Sequence, residues 1–246
     1  MATVTDQAVC IRQWDWSETS QTVSLFSREH GLVRAVAKGS KRENSRFSGG
    51  LEVLTRGEMI AIIKPAADLA NLIAWDLQET FPELRRRLEA FYAGMYLADL
   101  LQSALTDHDP HPVLFDAILA SLRMLSPGRD RAAVLAFQWA TLIEAGYRPE
   151  LSQDIASGGP LERARSYVFL PRLGGFAAEG ATGPGPTWRV RAETLTGLRN
   201  IAEGAAIESL SIDTVDRATR LLALYLREVL GRDMPSMGPL FGEIGT

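Results

Sequence analysis

Basic side chains are concentrated in one polar stretch near the N-terminus. Residues 28–46 contain six Lys or Arg against two Asp or Glu, and all three lysines of the chain lie within residues 1–64. Lys and Arg in a loop contact phosphate oxygens and release the counterions that a polyanion holds. We therefore predict a phosphate-binding surface formed by Arg34, Lys38, Lys41, Arg42, Arg46 and Lys64.

Residues for covalent or metal chemistry are few. The chain has one cysteine, Cys10, and three histidines, of which His108 and His111 have an H-x-x-H spacing around an Asp-Pro pair. The proline places this pair in a loop, and no third metal ligand is identifiable. No phosphate-binding glycine loop, nucleophile elbow or zinc-protease motif occurs. We predict no catalytic residue, no metal and no cofactor, and keep a hydrolase that uses His108 or His111 as a remote alternative.

Composition and charge fit a folded globular protein. The 246 residues are 46% hydrophobic and 23% charged, and the formal net charge is −4. No apolar run is long enough to cross a bilayer, and the N-terminus lacks the features of a signal peptide, so we expect a cytoplasmic protein without membrane association. Residues 1–64 have nine basic and seven acidic residues, a net charge of +2, whereas the remainder has 17 and 23, a net charge of −6. A local basic surface is therefore expected despite the acidic average.

The elements that must position the basic residues are short strands. Residues that favour strands recur in five stretches before residue 80, which are Val4–Trp14, Thr22–Phe26, Leu32–Ala37, Val53–Ile63 and Leu69–Leu77. Because the connections are too short for crossover helices, these five strands predict an antiparallel meander or a small barrel. The polar link 39–50 follows the third strand, so its cations are expected beside the barrel.

Helical periodicity replaces the strand pattern at residue 80. Apolar residues three and four positions apart predict helices at about 80–105, 112–125, 131–145, 194–203 and 214–230. Residues 152–186 are rich in Gly and Pro and predict a loop-rich insert, in which Tyr167–Leu170 forms a short strand. The predicted fold class is α+β multidomain, with an OB-fold nucleic-acid-binding domain at 1–79 and an α-helical domain at 80–246.

Aromatic residues accompany the basic stretch. Trp14, Trp16, Phe26 and Phe47 lie in or near the predicted barrel, and their rings are of the kind that stacks on bases. Aromatic side chains in small barrels mostly fill the interior, so as many as three of the four are expected in the core. A merely solvated loop is the competing interpretation of the basic residues. Their position beside a five-stranded barrel favours oligonucleotide binding, because OB folds bind nucleic acid in a groove flanked by loops.

Ten short segments, taken by their order and spacing, match the pattern of a known family. They are Trp16–Thr19, Val23–Phe26, Gly31–Val33, Ala37–Arg42, Tyr96–Leu100, Leu114–Phe115, Gly146–Leu151, Gly174–Phe176, Leu230–Arg232 and Pro235–Ser236. Over nearly its whole length the chain therefore resembles the RecO family of bacterial recombination mediators, and the resemblance implies an N-terminal oligonucleotide-binding barrel and a C-terminal helical domain. It implies binding of single- and double-stranded DNA, annealing of complementary strands, and a location at the bacterial nucleoid. It also implies two partners, RecR and the acidic C-terminal tail of the single-stranded-DNA-binding protein.

The chain departs from the family pattern at the zinc site. Many relatives carry two pairs of zinc-binding cysteines in the insert, and the corresponding positions here are Asp154, Ser157, Ala178 and Ala181. None of these residues supplies a thiolate, so the resemblance and the residues together predict an insert without zinc. Packing of Tyr167, Phe169 and Phe176 is expected to hold the insert instead.

A second departure concerns the partner tail. Relatives often place a basic residue before the phenylalanine of the third helix, where this chain has Ala136. We expect the tail to dock between the second and third helices beside Arg123, Arg129 and Arg131, although solvated helix-end charges are an equal alternative for these arginines.

The leading functional hypothesis is a non-enzymatic DNA mediator. It binds strands, promotes annealing, and acts with RecR and the single-stranded-DNA-binding protein to allow recombinase loading. The alternative is a generic OB-fold adaptor for single-stranded nucleic acid, including RNA, without annealing activity.

Overall fold

Six strands of the N-terminal part form one sheet that closes on itself. The strands are β1 (Ala2–Asp15), β2 (Gln21–Ser27), β3 (Gly31–Ala37), β4 (Phe47–Ser48), β5 (Arg56–Ile63) and β6 (Ala70–Glu79). Their order is β3-β2-β1-β5-β6-β4, and β3 also pairs in parallel with β6. This closure confirms the predicted five-stranded OB-like arrangement, to which the two-residue strand β4 is an addition.

The structure, a computed structural model, describes residues 2–42, 45–48, 50–64 and 67–242. It divides into two compact units, residues 1–125 and residues 126–246. The sequence predicts a division between residues 79 and 80, where strands give way to helices. The unit that contains the barrel extends past that point and includes the first three helices. In the described ranges, no helix combines the length and the apolar character needed to span a bilayer.

The first strand organises the barrel. Residues 2–9 of β1 pair with β5, and residues 8–15 pair with β2, with a register shift between Cys10 and Arg12. Alternate side chains of the strands point inward and form a buried cluster that includes Cys10, Val23 and Trp75. The other face is partly covered too, since Val9, Ile11 and Phe26 are buried and the Phe26 ring lies 5.8 Å from that of Phe115. Arg34, the basic residue of β3, lies at an exposed position of the strand.

Helices α1 (Glu83–Arg86), α2 (Leu88–Ala104) and α3 (Pro112–Met124) complete the first unit. One continuous helix is predicted over 80–105, but extended backbone at Arg87, with φ −134° and ψ 131°, divides it. Leu88 is consequently exposed instead of contributing to the predicted apolar stripe. Helix α2 is tied to the barrel by an ion pair between Asp99 and Arg12 of β1.

The second unit combines four helices with a small sheet. Its helices are α4 (Asp130–Glu144), α5 (Ala192–Ala202), α6 (Ile212–Leu230) and α7 (Met237–Phe241), with a 3-10 helix at Ile207–Ser209. The insert extends to residue 191, beyond the predicted bound of 186, and contains the antiparallel strands β7 (Ser166–Leu170), β8 (Gly175–Ala177) and β9 (Trp188–Arg191), in the order β8-β7-β9. Only β7 is predicted from the sequence. The insert is thus a three-stranded sheet flanked by turns.

Candidate nucleic-acid interface

The loop that follows β3 is joined to the turn between β1 and β2. The amide of Lys41 donates to the carbonyl oxygen of Thr19 at 3.2 Å, and the amide of Gly39 donates to Ser20 Oγ at 3.2 Å. The Ser40 hydroxyl donates to Gln21 Oε1 at 3.0 Å. These bonds bring residues 38–42 against residues 15–21, although the two segments are about twenty positions apart in the sequence.

The turn between β1 and β2 carries two exposed tryptophans. Trp14 is 52% exposed and Trp16 is 63% exposed, whereas Phe26 and Phe47 are buried. The expectation that as many as three of these four aromatics are core residues is therefore met by two. Trp14 and Trp16 flank Asp15, the last residue of β1. Their side chains lie outside the buried core of the barrel. That position at a strand end is the signal that distinguishes them in the sequence.

Lysine and arginine side chains surround this aromatic turn. The Lys41 ammonium pairs with Asp15 Oδ1 at 2.5 Å, and Asp15 is the residue between the two tryptophans in the sequence. Lys38 and Arg42 are exposed and have no ion-pair partner within the described ranges, which omit Glu43 and Asn44. We name the set Trp14, Trp16, Lys38, Lys41 and Arg42 the aromatic-basic surface. It combines rings that stack on bases with cations that contact phosphates.

The other predicted phosphate-binding residues lie around this surface. Arg34 lies at an exposed position of β3, and Lys38 is the first residue after that strand. The Arg34 guanidinium pairs with Asp107, with Nε at 2.8 Å from Oδ2, so its charge is partly neutralised. Arg46 and Lys64 are exposed, and neither pairs with a carboxylate of the described residues. Lys64 follows β5, which is separated from β3 by β6, so it lies at the periphery.

Comparison with known proteins places the chain in a family. A family profile described as "Recombination protein O N terminal" matches residues 1–81, and one described as "Recombination protein O C terminal" matches residues 85–238. The chain belongs to the RecO family. A "DNA repair protein RecO" of Anaeromyxobacter sp. (strain K) is 30% identical over 95% of this chain and 96% of its own length. Proteins of the same name are 31% identical in Rhodopirellula baltica, over 84% of this chain and 77% of their own length, and 33% identical in Azoarcus sp. (strain BH72), over 88% and 86%.

The three arginines predicted to bind a partner tail of the RecO system have different environments. Arg123 belongs to the first unit, on α3, and forms a bidentate pair with Glu79, with Nε–Oε1 at 2.8 Å and Nη2–Oε2 at 2.7 Å. This pairing raises the pKa of Arg123 and lowers the pKa of Glu79. Arg129 and Arg131 belong to the second unit. Arg123 is therefore already occupied by an internal carboxylate.

Arg129 and Arg131 line an apolar pocket of about 300 Å³ in the second unit. The pocket lies between the start of α4, the 3-10 helix and the start of α6, and its other lining residues include Ile207, Leu210 and Val215. Arg129 pairs with Glu208 at the rim. Arg131 is half-buried, and this desolvation lowers the pKa of its guanidinium.

The guanidinium of Arg131 is incompletely satisfied. Its Nη2 donates to the carbonyl oxygen of Leu240 at 2.6 Å, and its Nε lies 3.6 Å from Asp216 Oδ1. Its Nη1 is buried and has no hydrogen-bond partner among the described residues. The guanidinium also lies over the Phe241 ring, 4.5 Å from its centroid, so α7 holds it in place. The pocket therefore offers apolar walls with two arginines among its lining residues.

The insert positions that hold cysteines in many RecO relatives have a different structural role here. Asp154 Oδ1 accepts hydrogen bonds from the amides of Ala156 at 2.9 Å and Ser157 at 3.0 Å, and Oδ2 accepts one from Ala178 at 2.9 Å. These bonds, that from Ala178 above all, lower the pKa of the Asp154 carboxyl. Ala181 packs against the apolar cluster of Val168, Leu170 and Ala177. The carboxylate of Asp154 thus joins the two turns of the insert.

Aromatic packing supports the insert as the sequence predicts. The rings of Phe169 and Phe176 are 4.9 Å apart and nearly perpendicular, and Phe169 also contacts Tyr225 of α6 at 5.0 Å. The Tyr167 hydroxyl donates to the carbonyl oxygen of Glu162 at 3.2 Å. These contacts anchor the sheet on α6.

Groups that could perform covalent chemistry are not assembled into a site in the described ranges. Cys10 is fully buried in the barrel, and this desolvation raises the pKa of its thiol to about 12. His111 lies 3.4 Å from Asp109, and His30 lies 2.9 Å from Asp6. Across the described residues, no group of three or more His, Cys, Asp and Glu side chains is arranged to hold a metal. Within the described ranges, His108 and His111 are therefore not part of a three-residue metal-binding group.

Proposed function

We propose that this RecO-family protein is a non-enzymatic DNA-binding mediator of recombinational repair. It binds single- and double-stranded DNA, promotes annealing of complementary strands, and acts in the cytoplasm at the nucleoid. The observation that carries this proposal is the hydrogen bonding of residues 39–41 to the β1–β2 turn, because it places exposed cations beside two exposed tryptophans.

The aromatic-basic surface suits a single strand of DNA. Lys38 and Arg42 contact phosphates and release counterions, while Trp14 and Trp16 offer ring faces to unpaired bases. Base stacking of this kind tolerates any sequence, because every base has a π face. Duplex DNA hides its bases, so we expect it to use the cations alone and to bind more weakly. Annealing then needs no covalent step, since neutralised strands exchange protein contacts for base pairs.

The partners proposed for this protein are RecR and the single-stranded-DNA-binding protein. The pocket beside Arg131 supports the second of these. A short acidic tail that ends in apolar residues requires apolar walls and a nearby cation, and both are present here. Arg129 and Arg131 are the two cations among the pocket's lining residues, and a tail carboxylate would pair with them.

Anisotropy titration of a labelled single strand across salt concentrations tests the DNA-binding proposal. With about four to six phosphates neutralised, affinity should fall with salt at a log–log slope of about −3 to −4. The double variant Lys38→Ala/Arg42→Ala should reduce the magnitude of that slope by about 1.4, since each contact contributes about 0.7. Arg85→Ala/Arg86→Ala is the matched control, because it removes two cations from α1 of the same unit. An equal loss in both variants contradicts the assigned surface.

Strand-pairing kinetics separate mediation from simple binding. The wild-type protein should accelerate pairing of complementary DNA strands, and Lys38→Ala/Arg42→Ala should slow it. RNA of the same sequence serves as the comparator. Equal affinity for RNA and DNA without any acceleration of pairing would favour the generic adaptor instead.

Calorimetry with an acidic peptide ending in apolar residues tests the partner pocket. We expect a micromolar-class Kd that added salt weakens. The variant Arg129→Ala/Arg131→Ala should abolish binding, whereas Arg172→Ala, which removes an exposed cation elsewhere in the unit, should not. Nanomolar affinity, or binding that survives the double substitution, would place the tail site elsewhere.

A further inference from the structure

A polar pocket in the insert of the second unit is lined by three arginines. The pocket has a volume of about 480 Å³ and is lined by Arg165, Ser166, Arg189, Arg191 and Glu193. We name it the insert arginine pocket. It lies where β7 and β9 pair, with Ser166 opposite Arg191 and the Arg165 carbonyl accepting the amide of Ala192 at 3.1 Å. Both flanking strands are fixed by their hydrogen bonds, so the backbone that carries these arginines is held in place.

The charges of this pocket are less neutralised than those on the helices of the same unit. On α6, Arg217 and Arg220 pair with Asp213 and Asp216. Arg165 and Arg191, by contrast, are exposed and have no ion pair within the described part of the chain. Arg189 is shared between Glu179 Oε1, at 2.8 Å, and Ser166 Oγ, at 3.2 Å from Nη2. Even with Glu193 at its edge, the pocket keeps guanidinium donors that no internal acceptor uses.

We propose that the insert arginine pocket is a second phosphate-binding site, which holds a nucleic-acid strand by its backbone. This inference rests on the DNA binding proposed above and adds a site to it. Arg189 and Arg191 are two positions apart on one face of β9, about 6.6 Å along the strand, a spacing suited to successive phosphates of an extended strand. Guanidinium groups bind phosphate oxygens in a bidentate manner and remain charged throughout the physiological pH range.

The chemistry of the pocket favours a backbone over bases or peptides. The neighbouring aromatic, Trp188, is stacked on Phe169, with ring centroids 5.9 Å apart and planes 10° apart, so its inner face is already occupied. None of the five lining residues is apolar, whereas a docked acidic peptide usually needs apolar anchors as well. A phosphate backbone supplies regularly spaced charge without them. Binding here is therefore independent of base identity and indifferent to whether the bases are paired.

Two separate sites on one chain have a consequence for annealing. The aromatic-basic surface needs unpaired bases for stacking, whereas the insert arginine pocket needs only phosphates. A chain that holds one strand at each site turns the meeting of two strands into an intramolecular encounter with a raised effective concentration. The second site therefore extends the proposed function, because it binds the complementary strand while the aromatic-basic surface binds the first.

The test uses the full-length protein and a short oligothymidine, titrated for stoichiometry and salt dependence. Wild type should bind two oligonucleotides per chain, and Arg165→Ala/Arg191→Ala should bind one, with overall affinity for longer single strands lowered on the order of tenfold at 0.1 M salt. Arg172→Ala/Arg217→Ala is the matched control, because it removes one exposed and one half-buried arginine of the same unit, which pair with Glu228 and Asp213. The variant Arg165→Lys/Arg191→Lys keeps the charge and should retain most of the binding.

Several outcomes overturn the inference. Unchanged stoichiometry in Arg165→Ala/Arg191→Ala, or an equal loss in the control pair, shows that the pocket binds no strand. Loss of oligoglutamate binding without loss of oligothymidine binding shows that it takes acidic peptides instead. These results differ from a failure of the proposed function, in which wild type itself binds no DNA and Lys38→Ala/Arg42→Ala changes nothing.

Discussion

The loop after β3 and the insert of the second unit are both irregular, glycine-containing segments with charged side chains, and their charges meet different partners. In the loop, the backbone is tied to the β1–β2 turn while the side chains of Lys38 and Arg42 reach solvent. In the turns of the insert, the carboxylate of Asp154 is buried and accepts three backbone amides. The loop keeps the charges of Lys38 and Arg42 available to an external ligand, whereas in the insert the charge of Asp154 is used to join two turns.

The environment of a charged group, rather than its residue type, therefore indicates whether it binds a ligand or stabilises the fold. An ionisable group whose hydrogen-bonding capacity is satisfied inside the chain contributes to stability, because its removal strands the donors or acceptors around it. A group left exposed and unpaired contributes little to stability and remains available to a ligand. By this criterion Arg123, held by Glu79, belongs with Asp154, whereas Lys38 and Arg42 belong to the binding surface.

The largest expected effect is a loss of stability when the carboxylate of Asp154 is removed. Asp154→Ala removes the acceptor of three amides and should destabilise the second unit by about 2–3 kcal/mol, because buried N–H groups lose charge-assisted hydrogen bonds. Chemical denaturation monitored by intrinsic tryptophan fluorescence, to which Trp139 and Trp188 of the second unit contribute, measures this loss. Asp213→Ala, at an exposed position of α6, is the control and should stay within about 0.5 kcal/mol of wild type. A similarly small change in Asp154→Ala would mean that aromatic packing alone holds the insert.

The next effect belongs to the recognition side. Trp16→Ala should weaken binding of a single strand by about 1–2 kcal/mol, roughly five- to thirtyfold, because one stacking platform is lost. Binding of duplex DNA should change little, since its bases are already stacked. Phe91→Ala, which removes a half-exposed ring from α2, is the control. Equal loss for single and double strands in anisotropy titrations would show that Trp16 does not contact bases.

The sequence predicts those elements of the fold that depend on local patterns and misses those that depend on tertiary contacts. Strands β1, β2, β3, β5 and β6 are predictable because their alternation is local, whereas β4 is two residues long and exists only because Phe47 pairs with Trp75. The break at Arg87 also lacks a local signal, since helix-forming residues continue on both sides of it. Five strands and most helices could therefore be located without coordinates.

The sequence predicts which charged residues form the candidate site, but it does not predict which residues they pair with. Composition identifies the basic stretch, but the pairing of Arg34 with Asp107 joins residues 73 positions apart, which no local pattern reveals. The absence of cysteines from the insert is readable from the sequence. That Asp154 bridges to the amide of Ala178, 24 positions away, is a tertiary contact that the sequence does not predict.

A third expected effect is acid sensitivity confined to the insert. The hydrogen bonds that lower the pKa of Asp154 stabilise the fold fully above the carboxyl's unfolded pKa, and this contribution is lost as the pH falls through the lower folded value. The amide proton resonances of Ser157 and Ala178 should therefore titrate together below pH about 3.9, the ordinary value for Asp. NMR spectra recorded from pH 5 to pH 2 measure this, with Asp154→Asn as the non-titrating control. A midpoint above the ordinary value would contradict the hydrogen-bonded arrangement.

The smallest expected effect is that of a chelator. Among the four insert positions, Asp154 is already saturated by amides and Ala181 contributes to an apolar cluster, so a metal would have to displace contacts that stabilise the insert. Since no metal-binding energy is then coupled to folding, the Tm with EDTA should equal the Tm with added zinc. Elemental analysis of the purified protein should find less than one zinc per chain. A Tm that falls in EDTA and recovers with zinc would mean that the two turns are joined by metal, and the contrast between the insert and the aromatic-basic surface would then lose its basis.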